Sequence, residues 1–230
     1  MRAQPVSAPD STSAAANPVW VSTRASIRED VRLYHRLRYP HRRPTPVSQL
    51  LLLITSRGLW LLIVHRLLLA LYERRREAGT RHAGWRALVQ LMTPVEMLVK
   101  ILTKCELLET TQLDAGVYLS DRGYIMLGAR RVGHGSMIHH NVTIGIDMTT
   151  GGLPEIRENV WIGPDSIIFG GITIGEGSTV LPSSVLARSV PPHSVVQGNP
   201  ARVIQRDFDN SELLARLTVD IPIKAVESGG

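Results

Sequence analysis

The fold is decided between Val132 and Leu186, where the sequence reads VGHGSMIHHNVTIGIDMTTGGLPEIRENVWIGPDSIIFGGITIGEGSTVLPSSVL. Aliphatic residues recur there every six positions, at Val132, Ile138, Ile144, Ile156, Ile162, Ile168, Ile174, Val180 and Leu186. Mostly small or β-branched residues stand four positions after most of them, as at Ser136 and Val142. Neither an α-helix nor a simple strand has such a period, and a short repeat of this kind is typical of a parallel β-helix.

The repeat predicts a triangular prism, in which each six-residue unit forms one face and one coil takes about eighteen residues. The aliphatic residue fills the interior, and we expect the glycine that often follows it to permit backbone dihedrals that other residues resist. The repeat is broken once, between Gly145 and Pro154, where IDMTTGG has no inward aliphatic residue. An irregular turn in a solenoid often projects from the binding face, with a tolerated surface loop as the alternative.

The sequence divides into four parts. Residues 1–19 are rich in Ala, Ser and Pro and are predicted to be a disordered tail without a secretory signal. Residues 20–109 form an α-helical domain, residues 110–206 the β-helix, and residues 207–230 a C-terminal helix and tail. The predicted fold class is α+β.

Two helices are predicted from apolar and charged patterns. Thr23 to Tyr39 is basic with one apolar face. Val47 to Arg76 is the most apolar part of the chain, but Arg57, His65 and Arg66 argue against a membrane span. We expect a buried helix there, with a helix lying on a membrane surface as the alternative.

Two further helix starts are predicted from capping signals. Thr93 is placed as an N-cap, with Pro94 in the first helical position, and this helix should run to about Leu108. Asn210 or Ser211 should start a short terminal helix through Leu217 that caps the last coil.

Composition limits partners and location. The net charge is +6 and the pI is near 10.0, which indicates an anionic ligand or surface, or merely a soluble basic surface. Cys105 is the one cysteine, so no disulfide framework exists and a reducing, cytoplasmic location is expected. We expect no nucleic-acid partner, and we consider peripheral contact with the inner face of the membrane.

Two motifs accompany the repeat: HHNVTIG before a glycine-rich loop, and the ending VPPHSVVQGNPARVI. With the repeat, they resemble the hexapeptide acyltransferases, above all the serine acetyltransferase branch and its relatives in polysaccharide biosynthesis. The resemblance covers Gln112 to Ile204 and extends more weakly over Gly58 to Leu71. It implies a left-handed parallel β-helix, a homotrimer or dimer of trimers, and acetyl-CoA as co-substrate without a metal.

In that family the cofactor lies in a groove between neighbouring β-helices. The positions of this chain that match the groove are Gly145, Pro164, Gly170, Gly171, Ala201 and Arg202. A basic residue near the end of the array meets the nucleotide phosphates there, which suits an arginine.

Transfer to a hydroxyl needs a base, and histidine titrates near working pH. His140 matches a histidine found in many relatives and is the first candidate, followed by His139, with Asp121 as an orienting carboxylate. We expect His134 to be a polar residue at a corner. Backbone N–H groups of a glycine-rich turn can stabilise the oxyanion.

The sequence departs from authentic serine acetyltransferases in two places. Their Asp-His-x-x-Gly segment falls here in or near LSDRGYIMLG, which has no histidine, and Leu153 replaces a histidine that helps to bind serine. Three interpretations stay open: an O-acetyltransferase acting on a sugar, polysaccharide precursor or related small intermediate; a serine O-acetyltransferase with altered catalytic residues; and a catalytically inactive scaffold.

Overall fold

The structure, a computed structural model, describes residues 19–78, 83–147 and 151–215. Residues 1–18 of the predicted tail, residues 79–82, and part of the irregular turn lie outside these ranges. In the described ranges, four helices precede a stack of short strands and one follows it: α1 (Val19–Arg38), α2 (Pro46–Thr55), α3 (Arg57–Ala78), α4 (Ala83–Thr103) and α5 (Ser211–Leu214).

The strands are two to five residues long. Those in the described ranges are β1 (Glu106–Leu107), β2 (Gln112–Leu113), β3 (Tyr118–Leu119), β4 (Ile125–Leu127), β5 (Arg131–Val132), β6 (Met137–Ile138), β7 (Val142–Gly145), β8 (Glu155–Ile156), β9 (Trp161–Ile162), β10 (Ile167–Phe169), β11 (Thr173–Ile174), β12 (Thr179–Val180), β13 (Val185–Leu186), β14 (Val195–Gly198) and β15 (Ala201–Gln205).

From β1 to β13, each strand pairs with the strand three positions further along the chain. Each coil therefore adds one strand to each of three sheets. Sheet A has the order β1-β4-β7-β10-β13, sheet B the order β2-β5-β8-β11, and sheet C the order β3-β6-β9-β12-β14-β15. The pairings are parallel except that of β15, which returns antiparallel on β14. The predicted parallel β-helix and the α+β class are therefore confirmed, although the strands begin at β1, before the expected Gln112.

The six-residue repeat forms the interior. Ile138, Ile162 and Val180 stand in register on successive coils of sheet C, and all three are fully buried. The burial of one aliphatic side chain contributes about 1.5–3 kcal/mol, and each coil adds several. The stack is therefore the main core of the molecule.

Gly133 and Gly175, two of the glycines that follow inward aliphatic residues, are needed for space, which corrects the expectation about dihedrals. A Cβ at Gly133 would lie 2.5 Å from the backbone carbon of Arg157, and one at Gly175 would lie 2.4 Å from the nitrogen of Pro192. Neither glycine has a positive φ, since the left-handed corners fall elsewhere, for example at Asn141 with φ 58°.

The single buried helix predicted over Val47 to Arg76 is wrong. The chain bends at Ser56, where α2 and α3 meet at 88°. The N–H of Gly58 donates to Asp121 Oδ1 at 3.0 Å, so a carboxylate from the β-helix holds the start of α3. The inner part of α3 is largely buried, whereas Leu52 is the buried residue of α2.

The predicted helix start at Thr93 is also wrong, because α4 runs through Thr93 and Pro94 without interruption and ends at Thr103 instead of near Leu108. The Thr93 hydroxyl donates back to the carbonyl of Val89 at 3.1 Å, as a threonine inside a helix does. The residues before Thr93 are themselves helical, so the capping signal is not used.

Two buried contacts fix the helices to the β-helix. The guanidinium of Arg66 donates to both carboxylate oxygens of Asp30, which is fully buried and also accepts the N–H of Gly116 at 2.9 Å. The Tyr34 hydroxyl donates to the carbonyl of Leu119 at 2.6 Å and accepts its N–H at 3.0 Å. Breaking a buried pair such as Asp30–Arg66 typically costs about 3–5 kcal/mol.

The C-terminal helix α5 starts at Ser211 as predicted, and the part expected beyond residue 215 lies outside the described ranges. The Asn210 side chain makes no cap hydrogen bond and donates instead to the carbonyls of Asn159 and Ser178 on two successive coils. It therefore fastens the C-terminal segment to the side of the stack.

Candidate active site

The corner between β6 and β7 carries the two candidate histidines. Register pairs Leu119 with Ile138 and Ile125 with Val142, so this corner spans residues 139–141, and the corner one coil earlier spans residues 120–124. The earlier corner, SDRGY, is thus two residues longer and bulges beside the histidines. A Cβ on Gly123 would lie 2.8 Å from His140 Cβ, so the bulge presses against His140.

His140 is half-buried at this corner and held by the backbone around it. Its carbonyl accepts the N–H of Asp165 from the next coil at 3.2 Å. The neighbouring Asn141 is in the left-handed region and donates from Nδ2 to Asp165 Oδ1 at 3.0 Å. The fold therefore fixes the backbone position of His140 and leaves its ring partly accessible.

His139 is in a different environment. Its side chain is 3% exposed and its ring lies 4.7 Å from that of Trp161 and 6.3 Å from that of Tyr118. Its Nε2 is buried and has no hydrogen-bond partner among the described residues. Burial, and then the nearby His140, lower the pKa of His139 to about 4, so the ring is neutral near pH 7.

Asp121 lies within the longer corner, residues 120–124. Its carboxylate accepts the N–H of Gly58 and bonds to the Ser56 hydroxyl, and burial raises its pKa while those bonds oppose the rise. These contacts engage Asp121 with the start of α3. His134, the remaining candidate, is exposed at another corner and bonds through Nδ1 to the carbonyl of Ala115 at 2.6 Å.

The glycines predicted to bind the cofactor meet at the opposite edge of sheet A. The N–H of Gly170 donates to the carbonyl of Gly145 at 3.2 Å, and Gly152 approaches so closely that a Cβ there would lie 2.8 Å from Gly171 Cα. Two N–H groups expected to serve an oxyanion are already used within the turn: that of Gly170, and that of Gly151, which donates to Asp147 at 2.8 Å.

Two of these glycines have no steric reason to be glycine. A Cβ at Gly145 would meet no described atom within 4 Å, and one at Gly171 would meet its nearest such atom at 3.7 Å. Neither position has a positive φ. A bare backbone at such positions leaves room for a ligand chain to approach, as a pantetheine arm would need.

The other predicted cofactor residues lie at two further places. Pro164 stands at the His140 corner one coil on, since Ile138 pairs with Ile162. Ala201 and Arg202 are in β15 and line a cleft of about 340 Å³ together with Arg188, which the sequence reasoning did not single out. The predicted residues therefore border sheet A on both edges and at its last coil.

The outer face of sheet A lies between those edges and was also missed. Its outward residues stand in one register column, which Glu106 of β1 begins and which continues with Met126, Thr143, Ile167 and Val185. Met126 and Ile167 are exposed, and Thr143 and Val185 are partly buried. The sequence contained a signal for this face, because in every third repeat the residue before the inward aliphatic residue is apolar or β-branched.

No cluster of His, Cys, Asp and Glu suited to a metal ion occurs in the part of the chain that the structure describes. Three buried side-chain atoms without hydrogen-bond partners are found in the same ranges, and His139 Nε2 is the one at a candidate catalytic position. The arrangement thus offers an accessible histidine, a bare-backbone turn and a cationic cleft around one apolar face.

This architecture is that of a hexapeptide-repeat β-helix protein, and comparison with solved structures finds others with the same fold. The serine acetyltransferase of Vibrio cholerae superposes with a TM-score of 0.67 over 84% of this chain and 70% of its own, at 24% identity. The coenzyme A complex of the Brucella abortus enzyme gives 0.65 over 83% and 69%, at 23% identity. The chain therefore has the left-handed β-helix fold of the serine acetyltransferases, with helices before it.

Sequence comparison finds similarities over shorter lengths of the chain. A serine acetyltransferase 2 of Arabidopsis thaliana is 37% identical over 97 residues, which cover 41% of this chain and 30% of its own. A chloramphenicol acetyltransferase of Agrobacterium fabrum is 38% identical over 58 residues, or 25% and 28%. The chain thus spans less than a third of the length of these curated relatives, and no family model matches it.

Proposed function

We propose that this chain is an O-acetyltransferase that moves the acetyl group of acetyl-CoA to a hydroxyl of a sugar, a polysaccharide precursor or a related small biosynthetic intermediate. The observation that carries the proposal is the outer face of sheet A, with His140 at one edge and the bare turn of Gly145 and Gly171 at the other. Parts of the chain are similar to a chloramphenicol acetyltransferase and to a serine acetyltransferase, which supports the acyl donor more than either acceptor.

In this proposal His140 is the general base. Its ring nitrogen takes the proton of the acceptor hydroxyl while that oxygen forms a bond to the thioester carbonyl carbon. The carbon–sulfur bond then breaks, the acetyl ester remains on the acceptor, and the CoA thiol leaves with a proton. A positioned base of this kind contributes about 10²–10⁴-fold to the rate.

The donor would lie along sheet A. Its apolar arm would pass the bare backbone at Gly145 and Gly171, and Arg188 and Arg202 would meet phosphate groups at the cleft of the last coil. The Brucella abortus neighbour, a serine acetyltransferase in complex with coenzyme A, supports a site for this ligand on the shared fold.

The acceptor is proposed from what the site lacks. The LSDRG corner has no histidine, and its Asp121 bonds to Gly58 and Ser56. The position after the glycine turn is Leu153, which is half-buried and cannot donate a hydrogen bond to a carboxylate. These substitutions disfavour L-serine and favour an acceptor recognised mainly through hydroxyls.

Serine O-acetylation is the second candidate. The observation in its favour is the similarity to a serine acetyltransferase over 97 residues of this chain, together with the fold shared with several such enzymes. In either case we propose a homotrimer or a dimer of such trimers in the cytoplasm, because the apolar outer face of sheet A is left uncovered within one chain.

The test is a mass-spectrometric screen of the purified protein with acetyl-CoA and a panel of serine, homoserine, nucleotide sugars and oligosaccharides. An acetylated sugar product is expected. Vigorous acetylation of serine would replace the sugar proposal by the second candidate. Calorimetry with CoA provides the other decision, since failure to bind it would leave a non-catalytic scaffold.

A further inference from the structure

Helix α2 projects from a helix that is fixed in place. A Cβ on Gly58, at the start of α3, would lie 2.1 Å from the carbonyl oxygen of Leu119, so α3 lies directly against β3. Further along α3, His65 bonds to the carbonyl of Thr111 at 3.0 Å and Arg66 binds Asp30. Helix α2 meets α3 at 88° and contacts α1, where His35 Nε2 and the Ser48 hydroxyl lie 3.0 Å apart.

The exposed face of α2 is a continuous apolar stripe. Its outward residues have the i, i+3, i+4, i+7 spacing of one helix face: Val47, Leu50, Leu51 and Ile54. Val47 is 76% exposed and Ile54 is 60% exposed. The helix reads PVSQLLLLIT and contains no ionisable side chain. A soluble surface rarely leaves such a stripe without a partner.

The surroundings of this stripe are cationic. No Asp or Glu occurs between Asp30 and Glu73, and that interval contains seven arginines, of which Arg66 is buried against Asp30: Arg32, Arg36, Arg38, Arg42, Arg43, Arg57 and Arg66. Arg42 and Arg43 precede α2, Arg57 follows it, and all three are exposed. A second copy of this chain would bring the same positive charges against them, whereas anionic lipid headgroups would neutralise them.

The other exposed apolar stripe, on α4, lacks this charge pattern. Leu91, Leu98 and Leu102 are exposed there, but Glu96 and Lys100 form an ion pair of 2.7 Å on the same helix. A mixed-charge helix does not select an anionic surface. The helix α4 therefore serves as an internal comparison for α2.

No helix in the described ranges is by itself long and apolar enough to cross a membrane, and α2 passes such a test only as a bent pair with α3 as far as Arg74. The contacts of α3 with the β-helix keep its buried face from lipid. We propose that α2 lies in the plane of the interface of a bilayer that contains anionic lipids, with its apolar stripe at the headgroup–acyl boundary and the flanking arginines on lipid phosphates.

The test is flotation of the full chain with vesicles of phosphatidylcholine alone and of phosphatidylcholine with phosphatidylglycerol. We expect binding to the anionic vesicles, at least about tenfold weaker binding to neutral ones, and loss of binding as salt is raised. Leu50→Gln with Ile54→Gln on α2 should abolish flotation, and Arg42→Gln with Arg43→Gln should weaken it about tenfold.

The matched control is Leu98→Gln with Leu102→Gln on α4, which should float like the unaltered chain. Circular dichroism and thermal unfolding check that each variant folds. The proposal would be overturned if the chain with Leu50→Gln and Ile54→Gln floated as well as the unaltered chain. So would absence of flotation combined with self-association in analytical ultracentrifugation that the α2 variant loses, since α2 would then be an interface between copies.

Discussion

Sheets A and B of the β-helix have the same interior and opposite outer faces. The outward column of sheet B is polar, namely Gln112, Arg131, Glu155 and Thr173, and its charges are paired within the chain. Arg131 binds Asp114 and Glu158, and Glu155 binds Arg130 and Arg157. The corresponding column of sheet A begins at Glu106 of β1 but carries no charge from β4 to β13, where it is partly exposed.

This difference shows that the six-residue repeat determines the fold but does not determine which face binds a ligand. One outward residue in each repeat decides the character of a face. A polar face is stabilised by solvent and by its own ion pairs, whereas an apolar face is available to a ligand or another subunit. The candidate base His140 and the bare glycines Gly145 and Gly171 border the face of sheet A, so the proposed chemistry is placed on this face.

The largest loss of stability is expected when an inward side chain is truncated, and it should be similar in sheets A and B. Ile144→Ala in sheet A and Ile156→Ala in sheet B each empty a fully buried inward site. Each should lower the free energy of unfolding by about 2–5 kcal/mol, as measured by chemical denaturation. A clearly tolerant site in one sheet would show that the interiors are not equivalent.

Sheet C offers a pH test, because the rings of Tyr118 on β3 and Trp161 on β9 lie against the buried ring of His139 at the corner after β6. The folded pKa of about 4 lies below the unfolded value of about 6.5, so the unfolded state binds more protons between them. Stability should be unaffected above about pH 6.5 and should fall by about 3 kcal/mol as pH approaches about 4.

His139→Phe should remove that part of the pH dependence. The comparison isolates His139, because His65, whose pKa is also lowered by burial, is present in both proteins. Urea denaturation at a series of pH values gives the two slopes. Parallel curves for the two proteins would mean that His139 is not held neutral by burial.

The next effect separates the two outer faces. Ile167→Glu on sheet A should weaken binding of CoA about tenfold or more, because it puts a charge in the apolar column beside Gly170. Thr173→Glu at the equivalent outward position of sheet B should change the dissociation constant by less than about twofold. Calorimetry of both variants decides, and equal effects would remove the distinction between the faces.

The smallest effect is expected on the paired charges. Arg131→Gln breaks ion pairs with Asp114 and Glu158 that are about a third exposed. It should cost about 1 kcal/mol or less, and less still at high salt. CoA binding should be unchanged. A loss of several kcal/mol in thermal or chemical unfolding would show that sheet B depends on this network.

Features that recur with the six-residue period could be predicted from the sequence. Features that depend on adjoining or distant parts of the chain were missed. The inward columns follow from a period of six, and the corner glycines and HHN segment fell where expected. Thr93 failed as a helix start because a capping signal has no force when the preceding residues are already helical. The bend at Ser56 was missed because its cause is Asp121, a carboxylate from the β-helix that binds the start of α3.

The site shows the same division. His140 and the turn glycines were predicted from local pattern, and the structure places them at a corner and a turn on the two edges of sheet A, while their roles stay a prediction. The contrast between His139 and His140 could not be read from adjacent identical letters, because it arises from the rings of Tyr118 and Trp161 on neighbouring coils. The exposed face of α2 likewise depends on the direction of a bend.

The most direct test of the central claim is the turnover of acetyl-CoA with the acceptor found by the screen, in His140→Ala and in His134→Ala as the control at another corner. His140→Ala should reduce kcat by at least about 10²-fold, while His134→Ala should retain nearly full activity. Turnover of His140→Ala close to that of the unaltered protein would contradict the assignment of His140 as the base at the edge of sheet A.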